Sequence, residues 1–138
     1  MIRTRNRFQR RGVAVVETAV IMPVALMFVL GVSEFSLMLM ARQSVAIAAR
    51  EGARAAARQH GDTSDVRAAI DRVMTNAGYD GYSFETNVNE IDYDDRSVSV
   101  RVTLPWDRFA ISGDLFGGGT FDISIETTMR REGDAPRD

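Results

Sequence analysis

Residues 13–40 form an almost unbroken apolar run, interrupted mainly by Glu17 and Glu34. Twenty helical residues from Val13 reach Val32, a rise of about 30 Å at ~1.5 Å per residue, which matches the hydrocarbon thickness of a bilayer. The pattern therefore predicts a membrane-spanning helix over residues 13–41, with Glu34 near the far interface. Pro23 and Gly31 weaken a helix in water, but membrane helices accommodate both.

Residues 42–61 predict an extension of the same helix beyond the bilayer. This stretch is rich in Ala and Arg, both strong helix formers, with Gly52 the weak point and His60-Gly61-Asp62 the expected end. The alanines at 46, 48, 49, 53, 55, 56 and 57 leave little side-chain bulk, so another element can approach closely. Asp62-Thr63-Ser64-Asp65 is rich in capping residues. A second helix is expected from about 63 to 77, with Val66, Ala69, Ile70, Val73 and Met74 on one stripe and Gly78 as its C-terminal cap.

The period then changes to two. Val98, Val100, Val102 and Leu104 alternate with polar residues, as do Phe121, Ile123, Ile125 and Thr127; Phe84, Thr86 and Val88 form a weaker first strand. Asp94-Asp95 reads as a hairpin turn, and Trp106, Phe109 and Phe116 in the next connection are expected to cover the sheet edge or the helix. The expected fold class is α+β: a long N-terminal transmembrane helix extending into a small domain over 62–131, with one short helix and a three-stranded antiparallel sheet. Residues 132–138 read as a flexible tail.

Charge orients this arrangement. Residues 1–12 carry Arg3, Arg5, Arg7, Arg10 and Arg11 and no acid, whereas residues 60–138 hold 16 acids against eight arginines. The basic leader predicts a cytoplasmic N-terminus, with everything after residue 41 outside. The acidic outer part argues against a nucleic-acid partner. A removable secretory signal is the competing reading, and Ala46-Ile47-Ala48 supplies an A-x-A pattern. The apolar run is longer than such signals use and contains an acid.

Candidate chemistry is sparse. The absence of cysteine excludes disulfides, thiolate nucleophiles and Cys-ligated metals. His60, the sole histidine, lacks partners at useful spacing. Gly117-Gly118-Gly119 has no Lys-Ser/Thr after it and reads as a flexible turn rather than a phosphate loop. Asp92, Asp94 and Asp95 lack the spacing of a calcium loop and read as turn residues. Arg50, Arg54 and Arg58 recur on one helical face, where Glu51 can partly neutralise Arg54, and a solvated face accounts for them. No cofactor, metal, small-molecule substrate or catalytic role is expected.

The specific signal is the junction Arg10-Arg11-Gly12-Val13-Ala14-Val15-Val16-Glu17. It resembles the class III signal of type IV pilins and pseudopilins: a short basic leader, Gly, then an apolar stretch with Glu as its fifth residue. GVAVVETAVIMPVALMFVLGVSEF from Gly12 and AAREGARAAA from Ala48 look more closely like the TadE family of the tight-adherence (Tad, or Flp) pilus system. Thr18 departs from the tyrosine typical of major Flp pilins, which fits a minor, TadE-like subunit better. The resemblance implies cleavage between Gly12 and Val13 by a membrane prepilin peptidase. It implies as partners other pilin or pseudopilin subunits and an inner-membrane assembly platform, and as function a part in pilus biogenesis and surface adhesion.

Within that reading, cleavage exposes an ammonium at Val13, and the Glu17 carboxylate of an adjacent copy can pair with it. Pro23 and Glu34 are weaker candidates for a helix–helix interface. The bland alternative for Glu17 is a side chain that reaches to the headgroups of an ordinary anchor. The rival reading of the whole chain is a permanently anchored periplasmic protein whose acidic domain binds a soluble partner.

Overall fold

The computed structural model describes residues 7–58, 61–89, 97–106 and 121–131, with side chains from Gly12 onward. Arg3, Arg5, His60, Asp92, Asp94, Asp95, Phe109, Phe116, Gly117-Gly118-Gly119 and the tail 132–138 lie outside the described residues.

The apolar run and the Ala-rich segment form a single helix, α1, Arg7–Ala57. It ends one turn before the expected His60-Gly61-Asp62 and begins upstream of Gly12, within the basic segment. Pro23 sits inside it; lacking an N–H, it leaves the carbonyl of Ala19 without the usual donor four residues on. The second helix, α2, Thr63–Asn76, follows after only five residues, and so short a connection returns the chain alongside α1.

Both ends of α2 are built as expected from their residues. The Asp62 side chain accepts from the backbone N–H of Ser64 and of Asp65 at 2.8 and 2.9 Å. Asp65 reaches back to the Asp62 N–H at 3.4 Å, closing a reciprocal capping box. At the C-terminus Ala77 is the cap, and the expected glycine closes the helix from the next position. Gly78 follows with φ +79°, the left-handed conformation that releases the chain. The Gly78 and Tyr79 N–H groups donate to the carbonyls of Thr75 and Met74, a Schellman arrangement. Val66, Ile70 and Met74 are buried, whereas Ala69 and Val73 flank them half-buried.

Three antiparallel strands follow in a meander: β1, Ser83–Thr86; β2, Ser97–Pro105; and β3, Asp122–Arg130. Glu85 faces Arg101 and Arg101 faces Glu126 across the sheet, and Val100 faces Thr86 and Thr127. Val98, Val100, Val102 and Leu104 of the central strand are fully buried and point at the helices. The opposite face is polar: Arg101 pairs with Glu126 at 2.7 Å and Glu85 at 3.6 Å, and Thr103 meets Ser124 hydroxyl to hydroxyl at 3.1 Å. No ion pair joins Glu51 to Arg54 among the described residues; Arg50, Arg54 and Arg58 are exposed, as a solvated face requires.

Two strand expectations need correction. The first strand ends at Thr86, and Val88 is buried in a turn rather than in the ladder. Beyond Thr86 the Asn87 side chain takes over the pairing, accepting from the Ser99 N–H at 2.8 Å and donating to the Ser97 carbonyl at 3.2 Å. Phe121 shares the parity of Ile123 and Ile125 but precedes β3 and is 55% exposed.

The core forms where α1, α2 and the sheet meet. Ala41, Val45, Ala48, Ala49, Ala53 and Ala56 of α1 are buried in it. Their small side chains let α2 and β2 approach the helix, as the alanine content predicts. Gly52 fits closely into this core: a Cβ there would lie 3.0 Å from Cγ1 of Ile70 and 3.2 Å from Cγ1 of Val100.

Candidate functional site

Below the domain, α1 stands alone. From Gly12 to Val32 every residue is exposed, and the apolar window carries no burial at all within the protein. Val13 is 68% exposed and Phe28 72%. An apolar surface this long, on a helix stretch that packs on nothing among the described residues, is stable only in lipid or against other helices. The helix from Gly12 to Ala57 is long and apolar enough to cross a membrane, consistent with membrane anchoring.

The polar groups along this stretch separate into two kinds. The hydroxyls are satisfied by the helix itself: Thr18 donates to the Ala14 carbonyl at 2.9 Å, Ser33 to Val29 at 2.9 Å and Ser36 to Val32 at 2.8 Å. Back-bonding of this type lets Ser and Thr enter hydrocarbon without an unsatisfied donor. Glu17 differs. Its carboxylate is exposed and has no partner among the described residues. It lies four residues, about 6 Å of helix, beyond Val13. Glu34 is half-buried and does have an interaction, so it is not the equivalent of Glu17.

The other sequence-derived residues are placed as follows. Gly12 is helical, with open space around its α-carbon, and α1 runs unbroken through the bond between Gly12 and Val13. Arg7, Arg10 and Arg11 belong to the first turns of α1 by their backbone. Pro23 lies on the exposed part of the helix, two turns from Glu17. Ala14, Val15, Thr18, Ala19 and Met22 line a shallow apolar groove along α1. At 100° per residue, position 17 falls about 130° around the helix from the centre of this groove, so a helix seated there leaves Glu17 turned toward a different neighbour.

Sequence reasoning overlooked the groove and the self-satisfied hydroxyls. The signal for the latter was available: Thr18, Ser33, Ser36 and Ser44 all lie in helical sequence with a carbonyl four residues back, and Ser44 also bonds to Met40 at 3.1 Å.

The protein-family model described as TadE-like protein matches residues 12–54, which spans the exposed apolar helix and the start of its buried Ala-rich part. That is just under a third of the chain, and it leaves α2 and the sheet outside the match. No curated protein and no solved structure matches.

Proposed function

From the TadE-like character of residues 12–54, which ties this chain to the Tad pilus system, we propose that it is a minor pilin or pseudopilin in pilus biogenesis and surface adhesion. The observation that carries the reading is the Glu17 carboxylate, one turn into an apolar stretch of helix and, among the described residues, neither partnered nor covered. A membrane-embedded acid costs about 2.5–3.5 kcal/mol at mid-bilayer on insertion scales, and less close to the interface. Cleavage between Gly12 and Val13 creates the missing counter-charge. The Val13 ammonium of one subunit then meets Glu17 of another displaced along the axis, which removes the penalty and sets the register between copies.

This chain is the peptidase's substrate, and no catalysis is assigned to it. Its role is to pack α1 against related pilin or pseudopilin subunits on an inner-membrane platform, with the outer domain in the periplasm. Gly12 suits the cut because α1 must open there for a protease to reach the peptide bond, and glycine is the least costly ordinary residue to unwind.

A second reading keeps the leader attached, as a permanent periplasmic anchor. The continuity of α1 through Gly12 favours it. Mass analysis of the N-terminus in membrane fractions separates the two. Under the assembly reading, cells with the prepilin peptidase yield a chain starting at Val13 and cells without it a chain starting at Met1. An identical, uncut N-terminus in both sinks the assembly reading.

A further inference from the structure

We propose that the end of the outer domain formed by Tyr79, Tyr82, Trp106 and Phe121 rests in the headgroup layer of the leaflet from which α1 emerges. The inference builds on the reading of α1 as a membrane span. The exposed apolar surface of α1 does not stop where the hydrocarbon does. Residues 13–32 already fill about 30 Å, and residues 33–40 add about 12 Å more. Phe35, Leu39 and Met40 in that added length remain exposed. The headgroup layer is only about 5–7 Å deep on each side. The domain begins within the same stretch, because Leu37 and Met38 pack on its core and Ala41 is fully buried.

The topology fixes which end of the domain meets this layer. Helix α2 runs back along α1, with Ile70 against Gly52, so its start is distal and its end is near the bilayer. Asn89, just past β1, donates to the Thr63 hydroxyl at the distal start of α2 at 2.9 Å. The near end of β1 is therefore its beginning, where Tyr79 and Tyr82 lie. Antiparallel register brings the end of β2 and the start of β3 to the same level, with Pro105 opposite Asp122. There the Trp106 N–H donates to the Phe121 carbonyl at 2.9 Å.

Aromatic residues sort to this end. Of the five in the described part of the outer domain, only Phe84 lies elsewhere, in mid-strand, and the distal end presents Asp62, Thr63, Asn87, Asn89 and Arg130. Trp106 is buried in the core here and Tyr79 and Tyr82 are half-buried, so the core's aromatic edge lies at this level, where aromatic rings suit the bilayer interface. Phe121 leaves its ring 55% exposed beside them, an apolar surface with no use in water. Asp80 and Asp122 share this end, so burial of rings rather than attraction to anionic lipid drives the contact.

Trp106 is the sole tryptophan, which makes depth measurable by fluorescence. The test uses the full chain in phosphatidylcholine vesicles containing lipids brominated either near the ester end or deep in the acyl chain. Three single-tryptophan proteins, each with Trp106→Phe, carry Phe121→Trp, Asn89→Trp or Leu26→Trp; the unmodified chain reports Trp106 itself. The Phe121→Trp protein should lose about half its emission to the shallow bromines and be shielded from aqueous iodide, whereas the buried Trp106 of the unmodified chain should be quenched less by the same bromines. Asn89→Trp should respond to iodide alone and Leu26→Trp to deep bromines. Iodide access at position 121 equal to that at position 89, with position 26 lipid-quenched, overturns the docking alone. Absence of lipid quenching at position 26 overturns the membrane span, and the docking with it.

Discussion

Gly52 of α1 lies against Ile70 of α2 so closely that an added Cβ would sit 3.0 Å from Cγ1 and 3.1 Å from Cδ1 of the isoleucine. Ile70 and the adjacent Val100 are both fully buried. Gly52→Ala gains about 1 kcal/mol of helix propensity and loses about 1–3 kcal/mol to overpacking. The expected net effect is a destabilisation of about 1 kcal/mol, and Gly52→Val should cost more. Ile70→Val, which removes Cδ1, should soften the Gly52→Ala penalty. Denaturant unfolding of both single variants and the double variant in detergent checks this. Strict additivity would show that the contact is not the cause.

Tyr82 donates its hydroxyl to Asp71 across the α2–sheet boundary, and its pKa is pushed up to about 12, first by burial and then by the Asp71 carboxylate. A tyrosine pKa raised by folding means the folded state holds its proton longer than the unfolded one. This contribution is intact below about pH 10, the unfolded value, and is lost as pH rises toward 12. Tyr82→Phe should cost about 0.5–1.5 kcal/mol at neutral pH. It should also flatten the fall in stability between pH 10 and 12. Thermal melts across that range read both effects, and an equally steep fall in the variant would remove Tyr82 as its source.

The caps of α2 make separate demands. Asp62 is held below the ordinary carboxylate range chiefly by the Ser64 hydroxyl, then by the Asp65 N–H. Its contribution is present above the unfolded pKa, near 3.8, and is lost as pH falls through the lower folded value. Asp62→Asn keeps an acceptor and should retain most of the stability while losing this acid dependence, whereas Asp62→Ala should lose both. Gly78→Ala forces a Cβ into a left-handed conformation and should cost about 1 kcal/mol. Acid and thermal unfolding curves compare the three.

For assembly, the proposed role of Glu17 predicts that Glu17→Gln is still cut between Gly12 and Val13 but incorporates poorly and supports less surface attachment. Glu17→Val, which lowers the cost of insertion, should impair attachment as severely. Attachment equal to wild type in Glu17→Val cells would eliminate the charge pairing, whatever the N-terminus proves to be.

The elements whose periodicity is local were legible from the residues alone. The 28-residue apolar run forms part of one helix as expected, and the Val66, Ile70, Met74 stripe and the strict alternation of β2 each report one buried face, and each is found. What escaped depends on residues distant in sequence. Gly52 reads as a helix flaw until Ile70 and Val100 are placed against it. Arg67 stacks 5.1 Å over the Phe84 ring, and nothing in the spacing of either residue announces the other. Val88 has a strand's parity yet lies in a turn, next to an Asn87 side chain that bonds the Ser99 N–H and the Ser97 carbonyl. At the candidate site, the distance from Gly12 to Glu17 was readable, whereas Thr18 looked only like a missing tyrosine. Its hydroxyl folds back on Ala14, as a rigid phenol cannot.

An uninterrupted α1 also couples rotation to position. Glu17 and Ala53 stand 36 residues apart, about ten full turns, so both project at nearly the same azimuth around the rod. Ala53 points into the domain, and no loop between the two lets them swivel independently. Whichever neighbour grips the acid at the bottom thereby selects the compass bearing of the sheet above, much as a key's teeth determine where its handle points.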